Sequence, residues 1–175
     1  MKPMDDEKTT GKNPKPEHMT SLSLDCLVSK THGRIAFRGC IDTFQAEVIE
    51  AQVLAAHLGQ DAVCGNLGEI LEFLRSLMAA EVRETPLPPL KLFGMGEAEI
   101  HRQSRGVFVL PCYTQGPLAA RLNTLRAKAR EAELLAVKVF GPEEAAPRQD
   151  IVRALNRLSS ALWWLFCTCA ADGEK

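Results

Sequence analysis

Several familiar protein classes are excluded by what this sequence lacks. Aromatic residues make up 6% of its 175 positions, with one tyrosine and two tryptophans, too few for a strand-rich sandwich. Neither sign of charge is in excess, with 21 Lys+Arg against 22 Asp+Glu. There is therefore no electrostatic case for a nucleic-acid or anionic-membrane partner. The longest nearly apolar run, "ALWWLFCTCAA", is too short to span a bilayer. The start, "MKPMDDEKTTGKNPKPEHMTS", has no apolar stretch of the signal-peptide kind. Together these absences predict a soluble, cytoplasmic protein. Cys26, Cys40, Cys64, Cys112, Cys167 and Cys169 are scattered without a C-x-x-C, and the four histidines have no helical pair spacing. The cysteines therefore read as free thiols, with no metal site.

What is present favours helices. Hydrophobic residues are 46% of the chain, enough for one domain with a core and hardly enough for two. Residues 1–20 are polar and predicted disordered, leaving a folded domain over 21–171. Gly33 and Gly39 break residues 22–39, which read as extended or turning. Phe44, Val48, Ile49, Ala51, Val53 and Leu54 set a helix over 41–58, and Leu67, Ile70, Leu71, Leu74, Leu77 and Met78 another over 66–83. "ETPLPPLKLFG" must be a loop, because prolines cannot continue a helix. A short helix over 96–104 precedes the loop "RGVFVLPCYTQGP". Pro117 is placed to start a helix of about two dozen residues, and a final helix runs from near Arg148 to Ala170. The predicted fold is all-α, a bundle of four to five helices.

Two of these helices carry polar residues where packing does not ask for them. Arg126, Arg130 and Glu133 fall within about 60° of one another. They are flanked by Leu125, Ala129 and Ala132 on one side and by Ala127 and Leu134 on the other. Arg121, Lys128, Glu131 and Lys138 point the opposite way and already form a solvent face. In "ALNRLSSALWW", Asn156 projects with Ser160 and Trp163. The stripe is either a surface ion pair of little energetic consequence or an anion pocket, in which two guanidiniums meet a polyphosphate. Periodicity leaves both open.

The motifs "LRAKAREAE" and "NRLSS" together resemble the closing motifs of ATP:cob(I)alamin adenosyltransferases. They are similar at every motif position to the ethanolamine-utilization branch, L-R-x-K-x-R-E-x-E followed by L-N-R-L-S-S. "VSKTHGRIAFRGCID" is similar to the family's V-S-K, glycine and aspartate, aligning Lys30, Gly39 and Asp42. "FVLP" at 108–111 resembles the F-x-L-P before the arginine helix. The chain departs from the family at "DTF" for D-E-L, at Cys112 and Tyr113 in place of glycines, and in residues 1–17, which hold no His or Cys. For that last reason the branch's His/Cys metal motif is not carried over.

The resemblance implies transfer of the 5′-deoxyadenosyl group of ATP to cob(I)alamin, giving adenosylcobalamin and triphosphate. Arg126 and Arg130 would bind the triphosphate, with Lys30 and Asn156 as further donors and Glu133 orienting Arg130 or a neighbour. Mg²⁺ would accompany the phosphates. Asp42 would partner Arg126 across a subunit boundary; otherwise, at a helix start, it answers the dipole. Phe108 would displace the lower axial ligand of cobalt; otherwise it anchors a loop. Sites between subunits imply a homotrimer or a dimer, with a reductase as electron source and a cytoplasmic or microcompartment location. The rival readings are a non-catalytic adenosylcobalamin binder and a structural bundle.

Overall fold

A computed structural model describes residues 15–23, 26–143 and 147–172. Of the span 1–20 expected to be disordered, residues 1–14 lie outside those described. At its other end Met19 and Thr20 instead stand in a strand, paired with Ser29 and Val28. The chain runs β1 (Met19–Ser23), β2 (Cys26–Ser29), α1 (Gly33–His57), α2 (Asp61–Arg83), β3 (Lys91–Leu92), β4 (Met95–Gly96), α3 (Glu97–Arg105), α4 (Gly116–Phe140) and α5 (Gln149–Asp172). The expected helical bundle is present. Two small antiparallel strand pairs, β1–β2 and β3–β4, are added to it.

The long helices form one core. α1 buries Phe37, Ile41, Phe44, Val48, Ala51 and Ala55, spaced to keep one face inward. α4 buries Leu118, Leu122, Leu125, Ala129, Ala132 and Ala136. Ile151, Ala154, Leu155, Leu158, Ala161 and Leu162 face them from α5. The alanines on α4 and α5 let the two backbones approach closely. Glu133 meets Asn156 and Arg126 meets Trp163, so α4 and α5 run antiparallel. α1 is antiparallel to α4 as well, because Arg121 reaches Glu50 while Gly33 lies against Val139.

Helix starts differ from expectation in two places. α1 begins at Gly33, eight residues before the expected 41, so the extended segment stops at Ser29. His32 caps this start by accepting the Arg34 amide on its Nδ1 at 3.2 Å. Gly33 is not a breaker here: a Cβ would meet the Val139 side chain at 3.2 Å, so its smallness serves helix contact. Similarly, α2 begins at Asp61 and carries Gly65 and Gly68 inside it. The Asp42 dipole reading fails with the new boundary, because Asp42 now lies in the third turn of α1, beyond the reach of the N-terminal charge. The expected solvent face of α4 is also corrected. Arg121 pairs with Glu50 and Lys128 with Glu47, both on α1, while Lys128 also holds Glu131.

The β3–β4 hairpin turns through Phe93 and Gly94 at φ 58° and 74°. Phe93 tolerates the left-handed conformation because its amide donates to Glu69 Oε2 at 2.6 Å and its ring stacks on Trp164 at 5.6 Å. Strands of two residues leave no alternating pattern to read. Among the described residues, no helix is long and apolar enough to cross a membrane.

Candidate functional site

The arginine stripe of α4 opens into a cavity of about 160 Å³, lined by Ser104, Arg126, Arg130, Ser159, Ser160 and Trp163. Three helices build it. α4 supplies both guanidiniums one turn apart, α5 supplies two hydroxyls and the indole, and α3 supplies Ser104. Arg126 Nε donates to Asn123 Oδ1 at 3.1 Å, and its guanidinium carbon sits 5.5 Å from the centre of the Trp163 ring. Among the described residues, neither Arg126 nor Arg130 has a carboxylate within ion-pair distance. Apart from Arg126 Nε, their N–H groups have no protein acceptor among the described residues, and Arg130 is exposed.

Glu133 and Asn156 lie next to this cavity and are joined to each other. Asn156 Nδ2 donates to Glu133 Oε1 at 2.7 Å, and Arg157 donates to Asn156 Oδ1 at 2.8 Å. The carboxylate thus orients Asn156 rather than Arg130. Ser159 and Ser160 both donate to the Asn156 carbonyl, at 2.8 and 3.3 Å. Asn156 and Arg157 stand side by side two turns into α5, beside the serines that line the cavity.

Phe108 lies on the loop before α4 and does not line the cavity itself. It is 77% exposed, yet its ring is 6.3 Å from Trp163 in a tilted arrangement. Leu110 and Tyr113 on the same loop are 71% and 90% exposed. The loop is held from below, where Val107 and Val109 pack against the core and the Trp163 indole N–H reaches the Val107 carbonyl at 3.4 Å. Gln115 fastens its end by donating to the Leu110 carbonyl and accepting from the Cys112 amide, both at 2.9 Å. Thr114 donates to Cys112 Sγ at 3.3 Å, and this bond lowers that thiol's pKa.

Lys30 and Asp42 are not brought to the cavity. Both are exposed, Lys30 just past β2 and Asp42 on α1. Neither makes a hydrogen bond or ion pair to Arg126 or Arg130 among the described residues. Ser104 is a cavity residue that the sequence reading did not find, and only α3 folding across α5 discloses it. Trp163 was visible in the sequence as a neighbour of Asn156 on the helix, but its contact with Arg126 was not.

A model of the cobalamin adenosyltransferase family matches residues 11–169. The chain belongs to that family. It is 34% identical over 157 residues to the corrinoid adenosyltransferase EutT of Salmonella typhimurium, covering 85% of this chain and 57% of that protein. EutT of Escherichia coli K12 is 32% identical over the same shares. The chain therefore spans a little over half the length of these curated relatives. Its fold is shared with a variant PduO-type ATP:corrinoid adenosyltransferase from Lactobacillus reuteri complexed with cobalamin and ATP. The TM-score is 0.63 at 19% identity, over 85% of this chain and 84% of the other. A second variant of the PduO type from that organism, complexed with ATP, gives 0.63 at 22% identity, over 90% and 89%.

No group of three or more His, Cys, Asp or Glu is placed to hold a metal ion among the described residues. The carboxylate of the stripe, Glu133, already accepts from Asn156. Mg²⁺ at nucleotide sites is usually held by one or two carboxylates together with phosphate oxygens and water, and the cavity lining itself contains no carboxylate.

Proposed function

We propose that this chain transfers the 5′-deoxyadenosyl group of ATP to the cobalt of cob(I)alamin. Co(I) supplies the electron pair for a new Co–C bond at the 5′ carbon, while the C–O bond breaks and triphosphate leaves. The observation that carries the reading is the pair of guanidiniums, Arg126 and Arg130, without a carboxylate partner among the described residues and lining one cavity with Trp163, whose ring meets Phe108. Charge grows on the leaving triphosphate in the transition state, and preorganised cations in a confined cleft stabilise that charge more than the ground state. Ser104, Ser159 and Ser160 offer neutral donors at the same wall. Mg²⁺ would neutralise phosphate oxygens. Phe108, exposed on a loop that is anchored on both sides, suits an apolar side chain that excludes a lower axial ligand from cobalt, leaving the metal easier to reduce.

Lys30 and Asp42 enter through a neighbouring copy. On α1, Asp42, Ala46, Ile49 and Val53 fall within about 60° of one another, and Ile49 and Val53 are 45% and 51% exposed. On α4, Leu134 and Val137 border the arginine stripe at 68% and 45% exposure. Two different half-apolar faces, one acidic at Asp42 and one basic at Arg126, suit a heterologous contact that closes into a ring. The oligomer is read as a homotrimer in preference to a dimer, with Asp42 of one copy facing Arg126 of the next. A cytoplasmic or microcompartment setting in ethanolamine use, with a reductase as electron donor, follows the similarity to EutT.

The test is spectrophotometric. Reduced cobalamin mixed with MgATP and the protein should lose its Co(I) band and yield adenosylcobalamin and triphosphate. A shifted spectrum without turnover would make the chain a corrinoid binder, and an unchanged spectrum would leave only a structural role.

A further inference from the structure

We infer that Trp163 is a positioning residue that couples the triphosphate end of the site to the corrinoid end; this rests on the adenosyltransferase reading. Its indole is the side chain that touches both. On one side the Arg126 guanidinium lies 5.5 Å from its ring centre. On the other, its N–H reaches the Val107 carbonyl at 3.4 Å, and its ring meets Phe108 at 6.3 Å. From below, Phe166 packs on it at 5.5 Å and fixes its orientation.

The choice of an aromatic ring here has a physical consequence. A carboxylate would also hold Arg126 in place, but it would neutralise the charge and occupy the N–H fork. The face of an indole attracts the cation through its quadrupole while leaving the edge donors free. Arg126 is thus oriented without being spent. When the triphosphate arrives and pulls on that guanidinium, the ring that supports it is also the ring that supports the Phe108 loop. Nucleotide binding and placement of the phenyl group are then linked through one rigid side chain seated on a buried helix. Arg130, exposed one turn away, has no such support among the described residues and carries charge without this linkage.

The experiment uses the full chain and the variants Trp163→Leu, Trp163→Phe and Arg126→Ala. Calorimetry with MgATP reads binding, and adenosylation is measured with Co(I) made beforehand and with Co(II) reduced on the protein. Trp163→Leu should weaken MgATP by roughly 5- to 30-fold, the scale of a partly desolvated cation–π contact. It should also lower turnover from Co(II) more than from pre-formed Co(I). Trp163→Phe keeps a ring but loses the N–H. It should bind MgATP within about threefold of wild type and still show the Co(II)-selective defect, and it keeps the test open if the leucine variant does not fold. In a Trp164→Phe background Trp163 is the single tryptophan, and magnesium tripolyphosphate alone should change its emission. Wild-type binding and turnover with Trp163→Leu unchanged in both substrates, or tripolyphosphate binding with no change in emission, would overturn the inference. Failure of the wild-type chain to bind MgATP or consume Co(I) would instead overturn the adenosyltransferase reading beneath it.

Discussion

Two pairs of arginines, one at each end of the bundle's chemistry, show what a charge is for. Arg34 and Arg38 on α1 close on Glu81 of α2, whose side chain is fully buried, through Nε contacts of 2.5 and 2.6 Å. Arg34 also holds Glu84 and the Glu81 carbonyl, and Arg38 donates to the Leu22 carbonyl of β1. That cluster is neutralised and tied to backbone on several elements. Arg126 and Arg130 are likewise one turn apart on one helix, yet they face a cavity and have no carboxylate partner among the described residues. Guanidiniums paired with carboxylates lock elements together, although Arg38 keeps a buried Nη2 without a hydrogen-bond partner among the described residues. Arg126 instead rests on an indole and an asparagine, and Arg130 has no carboxylate partner among the described residues.

The largest expected effect falls on the scaffold pair. Glu81→Ala leaves two guanidiniums facing a buried, uncompensated position and should cost about 3–5 kcal/mol of stability. Thermal unfolding followed by circular dichroism should show a midpoint lowered by about 6–20 °C or no cooperative transition. An unchanged midpoint would mean that the cluster is not a lock.

On the site side, Arg126→Ala and Arg130→Ala should each lose about 2.7–4 kcal/mol of transition-state stabilisation, or 10²–10³ in turnover, while the melting curve stays within a few degrees of wild type. Activity within a factor of two of wild type would place these arginines with the scaffold.

A smaller effect comes from Arg148 and Asp150, which join the start of α5 to the loop after α2. Asp150 accepts from Arg148 and from the Leu87 amide at 2.8 Å, and Arg148 donates to the Thr85 carbonyl at 2.8 Å. Burial pushes the Asp150 carboxyl upward, but the Arg148 guanidinium and the Leu87 and Ile151 amides outweigh it and hold the group below its ordinary value. A depressed carboxyl stabilises the fold above the unfolded pKa of about 3.9, and this is lost as pH falls through the lower folded value. Asp150→Ala should cost about 1–3 kcal/mol near neutrality, from the unpaired Leu87 amide. The midpoint of the variant should also depend less on pH below about 4 than that of wild type. Parallel pH curves for the two proteins would refute the assignment.

The smallest effect is expected where charges pair in water. Arg75 and Glu72 are neighbours three apart on α2, 52% and 70% exposed. Arg75→Ala should move stability by no more than about 0.5 kcal/mol in chemical denaturation. A larger loss would show that exposure does not separate the two kinds of arginine.

Much of this contrast can be read along the chain, and the unread part has a common cause. The apolar spacing of α1, α2, α4 and α5 follows from the 3.6-residue period, which any buried helix face must obey. Pro117 sits in the first turn of α4 and the prolines at 86, 88 and 89 do end α2, because the ring fixes φ and removes a donor. The helix starts at Gly33 and Asp61 escaped this reading. Glycine is scored as a breaker by local rules, while Gly33 is retained for the close approach of Val139. The β3–β4 hairpin escaped because each strand is two residues long.

Sequence by itself determined that the four long helices exist, their inward faces, and the placing of Arg126, Arg130 and Glu133 on one stripe, with Asn156 on the last helix. Those are consequences of chain periodicity, which is local. Whether a given arginine is spent or free was decided only by tertiary structure. Arg34 and Arg38 find Glu81 across 47 and 43 residues, whereas Arg126 finds an indole 37 residues away. Charge on a side chain is a local property. The field it works in is set by whatever the fold packs beside it, and that depends on residues far along the chain.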